Sequence, residues 1–295
     1  TNAVQALVSV LMPVGLDHTR VLGGSLAAIA REKAAIIKRK GQHVVVAPQP
    51  RDAQRVIGRV CRRHQARVLA VGRDIKVNLL RRDKRGQRLA VRTPSRCYRI
   101  FTRLQGNHQA VNAAVAVGVI EALRRQGWNI PARAVTKGAA GVFWPGRFEI
   151  VARRPYVVLD GAHNPGACRQ IAATLRDIFP SQKVILIFGV SRDKDRTAMA
   201  RALKKAAGRV ILTSARHPRA HHFTLEEGRR LFCGHDVRLS ADVPGALGAA
   251  LTQAKKKDVI LVTGSLFVAA EAGKFLKGQR EKSVKRETKS EKRKA

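Results

Sequence analysis

Four short apolar runs in the second half of the chain constrain its fold most strongly. They are rich in β-branched residues and lie at residues 156–159, 184–188, 210–212 and 259–262, with helical patterns between them. Strands that are apolar along their whole length are typical of parallel sheets covered on both faces. The alternation therefore predicts an α/β fold with a doubly wound parallel sheet. Right-handed crossovers would place every strand's carboxyl end at one edge.

A polar loop follows each of these runs, at residues 160–165, 189–195, 213–219 and 263–265. An aspartate such as Asp160 can accept hydrogen bonds from ribose hydroxyls, and Gly264-Ser265 at a helix start offers backbone amides to an anion. Arg147, just before the first run, can bind phosphate through two N–H groups. Taken singly, Asp160 and Ser265 are equally typical helix caps, and Arg147 a surface charge. Their shared edge favours a nucleotide or anion site.

The first half of the chain mixes strand and helix patterns. Strands are predicted at 6–14, 44–46 and 67–71, helices at 25–37, 51–63 and 107–126, and antiparallel strands or a hairpin within 74–103. Ser25 is the predicted N-cap of the first helix. The neutral imidazole of His18 can bind a divalent metal, whereas the ammonium of Lys33 has no lone pair to offer. From spacing alone, we therefore interpret His18 as a helix-end or loop histidine and Lys33 as a solvated lysine.

Composition excludes several classes of protein. The chain is 45% hydrophobic, and no apolar run reaches the roughly 18 residues that a membrane span needs. Residues 1–14 lack the pattern of a signal peptide. The four cysteines form no Cys-x-x-Cys pair, which predicts thiols in a reducing cytosol and not a zinc site. We therefore expect a cytoplasmic protein with no membrane partner.

The net charge of +38 admits three interpretations: nucleic-acid binding, attraction of anionic substrates, or a general compositional bias. The charge is spread along the chain, and aromatic residues make up only 4%, too few to suggest platforms for base stacking. Compositional bias is therefore favoured. A non-catalytic basic protein that binds nucleic acid stays as the alternative function.

A series of short segments, in order along the chain, resembles the folylpolyglutamate synthases, including the bifunctional dihydrofolate synthases, of the Mur ligase superfamily. The segments cover about residues 2–277 and are Gly-Leu-Asp-His-Thr at 15–19, Ala-Arg-Glu-Lys-Ala at 30–34, Gly-Asn-His-Gln at 106–109, Trp-Pro-Gly-Arg-Phe-Glu at 144–149, Leu-Asp-Gly-Ala-His-Asn-Pro at 159–165, Pro-Arg-Ala at 218–220 and Val-Thr-Gly-Ser-Leu-Phe at 262–267. Each is weak alone, and the ordered set is specific. Trp-Pro-Gly-Arg and Gly-Ser-Leu-Phe favour a folate ligase over one that acts on a cell-wall precursor.

The resemblance implies a role for several residues. His18 corresponds to a Mg²⁺ ligand, and Lys33 to a lysine whose carbamylation gives it carboxylate-like oxygens that can bind metal. ATP would be bound by Asn112, Arg147 and Asp160, and the incoming glutamate by His163 and Ser265. The implied reaction joins L-glutamate to the terminal carboxylate of a folate through an acyl phosphate, with ATP and Mg²⁺. A monomer is expected.

The chain departs from the family pattern at one important point. No Gly-x-x-x-x-Gly-Lys-Ser/Thr phosphate loop occurs in the sequence. The resemblance therefore implies the remainder of a Mur-ligase-type central ATPase domain at 1–145, then a Rossmann-like, doubly wound C-terminal ligase domain at 146–278. A basic tail at 279–295 is predicted to be disordered or a frayed helix. Either an incomplete sequence or a truncated protein with a changed role fits, and we expect this chain alone to be inactive.

Overall fold

The computed structural model describes residues 4–15 and 25–291, with residue 280 and residues 282–291 as backbone only. The chain divides into two compact units, Thr1–Val142 and Phe143–Ala295. The division lies close to the predicted boundary at 145/146. No helix within the described ranges is long and apolar enough to cross a membrane.

The first unit contains six strands and four helices in its described part. The strands are β1 (Val8–Leu11), β2 (His43–Val46), β3 (Arg67–Ala70), β4 (Lys76–Asp83), β5 (Gly86–Arg92) and β6 (Cys97–Thr102). The helices are α1 (Leu26–Ala34), α2 (Arg51–Arg63), α3 (Asn107–Arg124) and α4 (Ala132–Gly141). The predicted Ser25 cap is present, because the Ser25 hydroxyl accepts a hydrogen bond from the Ala28 amide at 3.1 Å.

Two small sheets organise this unit. β1, β2 and β3 form a parallel sheet in that order. β4, β5 and β6 form the antiparallel sheet that the alternating pattern of residues 74–103 predicts, with a register shift between Leu79 and Arg81. Apolar side chains of α1 and α2 pack against the parallel sheet in one cluster. In a second cluster, apolar side chains of α3 pack against buried residues of both sheets.

A buried polar network joins the antiparallel sheet to the end of α3. The Glu121 carboxylate, only 3% exposed, accepts hydrogen bonds from the Tyr98 hydroxyl at 2.6 Å and from Thr93 at 3.3 Å. Ser95 donates to it as well, and Arg124 lies 3.3 Å away as its ion-pair partner. This carboxylate is therefore paired on all sides by the protein itself.

The second unit contains six strands and five helices in its described part. The strands are β7 (Glu149–Arg153), β8 (Tyr156–Leu159), β9 (Val184–Phe188), β10 (Arg209–Leu212), β11 (Asp236–Leu239) and β12 (Val259–Thr263). The helices are α5 (Pro165–Ile178), α6 (Arg196–Lys204), α7 (Leu225–Leu231), α8 (Val243–Gln253) and α9 (Leu266–Glu291).

These strands form one sheet in the order β11-β10-β9-β12-β8-β7, parallel except for the β7–β8 pair. Apolar clusters cover both of its faces, with α5 and α6 on one and α8 and α9 on the other. The predicted doubly wound α/β sheet is confirmed. The four predicted strands are its β8, β9, β10 and β12, whereas β7 and β11 at the two outer positions were not predicted.

The basic segment after residue 278 was predicted to be disordered or a frayed helix, and its described backbone is helical. The last helix, α9, continues as backbone helix to Glu291. Lysine, arginine and glutamate are good helix formers, and opposite charges three or four residues apart add to helix stability.

Candidate functional site

The loops after β8, β9, β10 and β12 lie at the carboxyl edge of the parallel sheet, where open α/β sheets bind ligands. Two glycines show how closely these loops approach one another. A Cβ at Gly161 would lie 2.2 Å from a Leu266 methyl, so the β8 loop packs on the start of α9. Gly264, at φ +104°, would place a Cβ 2.5 Å from the Gly189 carbonyl oxygen. Side chains are excluded at both points, which keeps the edge compact.

The Asp160 side chain is the centre of this edge. Its Oδ2 accepts a hydrogen bond from the Phe148 amide at 2.7 Å, and its Oδ1 accepts one from the Ala162 amide at 2.8 Å. The first bond crosses twelve residues and fixes the turn before β7 against the end of β8. Asp160 is 7% exposed, so its carboxylate is fixed by two backbone groups in a largely dry position.

Burial raises the pKa of Asp160 to about 6. The hydrogen bonds from Phe148 and Ala162 and the charges of Arg147 and His163 act in the opposite direction and do not outweigh it. A buried carboxylate with an elevated pKa can still accept further hydrogen bonds, since each oxygen has a second lone pair. Donors on a bound molecule would favour its ionised form.

Arg147 lies in a turn that the same contacts fix. The Gly146 carbonyl accepts from the Gly161 amide at 2.8 Å, and the Gly146 amide donates to Glu149 Oε2 at 2.9 Å. Phe148 has φ +47°, an uncommon conformation for a bulky residue, and its side chain is buried. The structure thus brings Arg147 close to Asp160, and the role of the two residues in binding ATP stays a prediction.

His163 and Ser265 belong to the same edge. The Nδ1 atom of His163 lies 3.0 Å from the Gly161 carbonyl oxygen. A carbonyl only accepts, so this contact requires a proton on Nδ1. The Ser265 hydroxyl accepts from the Phe267 amide at 3.2 Å, and its carbonyl accepts from Ala269 at the first turn of α9.

The helix-cap interpretation therefore fits Ser265 and not Asp160. The N-cap of α5 is Asn164, whose Oδ1 accepts from the Ala167 amide at 2.9 Å. Asp160 stands before the helix and forms its long-range bond to Phe148 instead.

The predicted site residues of the first unit are placed less completely. Asn112 lies half-buried in α3 and donates to Gln109 Oε1 at 3.0 Å. Lys33 lies exposed in the last turn of α1. His18 falls outside the described residues, so nothing is observed of the predicted His18–Lys33 metal site. Across residues 4–15 and 25–291, no three His, Cys, Asp or Glu side chains are grouped as metal ligands would be.

Several residues at the edge were not predicted as site residues. The His217 ring stacks on Phe267, with centroids 3.7 Å apart, and the Arg219 guanidinium lies 5.8 Å from the same ring. Arg192 fixes the loop that carries them by donating to the carbonyls of Ala220 at 3.1 Å and Pro218 at 2.7 Å. Two sequence signals pointed to them: the polar loops at 189–195 and 213–219, and the Pro218-Arg219-Ala220 and Leu266-Phe267 segments, which carry the family resemblance.

Comparisons with known proteins agree with this architecture. The Mur ligase middle domain matches residues 1–120, and the Mur ligase glutamate ligase domain matches residues 146–266. The folylpolyglutamate synthase of Lacticaseibacillus casei is 32% identical over 285 residues, which cover 94% of this chain and 64% of that protein.

Two solved structures are similar over nearly the whole chain. Folylpolyglutamate synthase of Mycobacterium tuberculosis complexed with ADP has a TM-score of 0.81 at 29% identity, covering 93% of this chain and 64% of its own. FolC of Escherichia coli in complex with DHPP and ADP has a TM-score of 0.81 at 27% identity, covering 95% and 63%.

Fold and edge geometry thus define a ligase domain of the Mur type, preceded by a middle domain of the same type. The chain belongs to the Mur ligase family, and its relatives there are folylpolyglutamate and dihydrofolate synthases. The resemblance inferred from sequence is confirmed. The chain spans less than two thirds of the length of these relatives.

Proposed function

We propose that this chain provides the glutamate-ligase part of an ATP-dependent enzyme that adds L-glutamate to the terminal carboxylate of a folate. The observation that carries the proposal is the carboxylate of Asp160, buried and fixed by two backbone amides beside Arg147. Relatives of similar fold are solved with ADP, which supports an adenine nucleotide as the ligand.

In this proposal Asn112, Arg147 and Asp160 bind ATP. Asp160 accepts hydrogen bonds from ribose hydroxyls through the second lone pairs of its oxygens. Arg147 offers paired N–H groups to a phosphate. His163 and Ser265 bind the incoming glutamate at the start of α9, where the helix dipole favours a carboxylate.

The chemistry has two steps. A folate carboxylate oxygen attacks the γ-phosphorus of ATP, the bond to the β-phosphate oxygen breaks, and ADP leaves. The glutamate amine then attacks the acyl phosphate carbon, phosphate leaves, and one proton is lost from nitrogen to give the amide. Arg147 would offset the charge that builds on the phosphate oxygens.

Mg²⁺, when bound, would neutralise part of the phosphate charge. His18 and a carbamylated Lys33 would hold it. Carbamylation joins the neutral Lys33 Nζ to the carbon of CO₂ with loss of one proton and creates a carbamate, whose two oxygens share one negative charge and can bind metal. The exposed position of Lys33 in the last turn of α1 leaves it open to CO₂.

The carbamate is testable without activity. In ¹³C-bicarbonate buffer, we expect a lysine carbamate signal in the NMR spectrum that strengthens with Mg²⁺ and is lost in Lys33→Ala. Lys38→Ala, a nearby exposed lysine, should keep it. A signal that survives Lys33→Ala would contradict this role.

Nucleotide binding tests the proposal itself. We expect the 295-residue chain to bind a fluorescent ADP analogue, and Asp160→Asn or Arg147→Ala to weaken binding about tenfold, the loss of one charge-assisted interaction. Asp177→Asn, a carboxylate at the far end of α5, is a matched control and should bind as the wild type does. Equal affinity in all of these proteins would reject the site.

Turnover is a separate expectation. The sequence contains no Gly-x-x-x-x-Gly-Lys-Ser/Thr loop to hold the β- and γ-phosphates. We therefore expect no glutamate incorporation into tetrahydrofolate by the purified 295-residue chain. Detectable incorporation would show that other groups take over this task.

A further inference from the structure

A large cleft lies in the first unit, and its described lining contains none of the residues assigned to the ligase reaction. It has a volume of about 1340 Å³ and lies between one side of α2 and the β3 end of the parallel sheet. Gly58 and Cys61 of α2 line it, with Val68 of β3 facing them. Glycine is a poor helix former, and a Cβ at Gly58 would touch only Arg62 at 3.5 Å. Packing therefore does not require this glycine, and its missing side chain widens the cleft.

The cleft is cationic along its whole length. Arg51, Arg55, Arg59 and Arg62 line it from α2, and Arg73 lines it from the loop after β3. The four helix arginines recur at intervals of four, four and three residues, which places them on one face of α2. All five side chains belong to exposed residues, so their charged ends reach solvent.

Little negative charge offsets these arginines. Among the described lining residues there is no aspartate or glutamate. Asp52 lies 3.9 Å from Arg55 in a highly exposed pair, and Asp74 binds Arg73 through both oxygens. None of the described carboxylates forms an ion pair with Arg51, Arg59 or Arg62. A concave surface with charge of one sign focuses its field on the solvent inside it.

The arrangement of the arginines fits a chain of anions. One helical turn advances by about 5.4 Å, so the arginines repeat along the cleft at a step comparable to that of successive phosphates in an extended strand. Gln54 and Gln65 add neutral hydrogen-bonding groups to the lining. No aromatic side chain lines the cleft in its described part, so the bases would not be stacked or read.

We propose that this cleft binds the phosphate backbone of single-stranded nucleic acid, without preference for sequence. Backbone contacts fix a strand and carry no sequence information. A duplex presents a broad convex surface, which a cleft along one helix does not enclose. This binding is independent of the proposed ligase reaction.

The test is the salt dependence of binding to a fluorescein-labelled oligouridylate of 20 nucleotides, followed by fluorescence anisotropy. In Arg51→Gln/Arg59→Gln/Arg62→Gln, we expect affinity at 50 mM salt to fall at least tenfold. The slope of log affinity against log salt should lose about 2, since each phosphate contact on a single strand contributes roughly 0.7. Unchanged far-ultraviolet circular dichroism shows that the triple variant folds. If the triple variant does not fold, Arg59→Gln alone takes its place, and its affinity should fall about threefold.

A matched control removes the same charge elsewhere in the same unit. Arg88→Gln/Arg92→Gln/Arg99→Gln changes three exposed arginines on the outer face of the antiparallel sheet. We expect this control to lose no more than about twofold in affinity. Equal losses in the two triple variants would mean diffuse attraction by the whole basic surface and would overturn the proposal. Equal affinity for a duplex of the same length, or no binding by the wild type at 50 mM salt, would overturn it too.

Discussion

Among the described residues, each unit has one carboxylate that is almost fully buried, Glu121 in the first and Asp160 in the second, and the surroundings of the two differ. Glu121 in the first unit is surrounded by side-chain donors from Ser95, Tyr98 and Thr93 and by the charge of Arg124. Burial alone would raise its pKa, but these partners together hold the pKa of Glu121 below its ordinary value. Asp160 in the second unit has two backbone donors, and burial raises its pKa to about 6.

The difference separates a structural carboxylate from one that is available to a ligand. Glu121 is already paired with groups from β6, α3 and the loop between β5 and β6, so it stabilises the fold. Asp160 is similarly little exposed to solvent, yet among the described residues no oppositely charged group forms a hydrogen bond with it. Buried groups with pKa values shifted by desolvation concentrate at functional sites.

The largest expected effect comes from removing the structural carboxylate. Glu121→Ala leaves the Tyr98 hydroxyl without its acceptor and removes the partner charge of the mostly buried Arg124, which keeps its hydrogen bonds to Tyr98 and to the Ile130 carbonyl. Breaking a buried ion pair by removing one partner costs about 3–5 kcal/mol. We expect the unfolding free energy of the first unit to fall by this amount. Hydrogen exchange of peptides from residues 86–124, followed at increasing urea concentration, measures it.

The corresponding change at the other carboxylate should cost much less. Asp160→Asn removes a charge that is unfavourable in its buried position, so we expect less than about 1.5 kcal/mol at pH 7, the range of a single net hydrogen bond. Hydrogen exchange of peptides from residues 156–188 measures this change in unfolding free energy. A cost as large as that of Glu121→Ala would erase the distinction between the two carboxylates.

Opposite pH dependences form the next prediction. The pKa of Glu121 is lower in the folded than in the unfolded chain, so its stabilisation is present above the unfolded pKa and lost as pH falls through the folded one. The pKa of Asp160 is higher in the folded chain, so its contribution is present below the unfolded pKa and lost as pH rises through about 6.

Urea unfolding of wild type and variants between pH 4 and pH 8 measures both signs. From pH 4 to pH 7, the unfolding free energy of wild type relative to Asp160→Asn should fall by about 3 kcal/mol, since two pKa units correspond to that amount. The unfolding free energy of wild type relative to Glu121→Gln should instead rise as the pH increases from 4. Parallel profiles for the two comparisons would contradict the assigned shifts.

Sequence patterns predicted the buried strands of the large sheet but neither of its two outer strands. Strands such as β9 are covered on both faces, so their composition alone identifies them. β11 at one edge reads Asp-Val-Arg-Leu and is mostly exposed, which leaves no apolar run to detect. The pairing of such a strand is decided by its neighbours in space.

The candidate site shows the same limit. A polar loop after a strand end was enough to select Asp160, His163 and Ser265. The bond from Phe148 to Asp160 spans twelve residues, and the partners of Glu121 in β6 and the preceding loop lie more than twenty residues away. Contacts at such separations depend on the folded chain, so no local pattern distinguishes the two carboxylates.

The most direct test of the central claim is the titration of the Asp160 carboxyl carbon by ¹³C NMR, with and without ADP. The Asp160→Asn spectrum assigns the signal. We predict a midpoint near pH 6 in the unliganded chain and a clear decrease with ADP, because hydroxyl donors on the ligand stabilise the ionised carboxylate. A midpoint near the ordinary aspartate value of about 4, or one that ADP leaves unchanged, would contradict it.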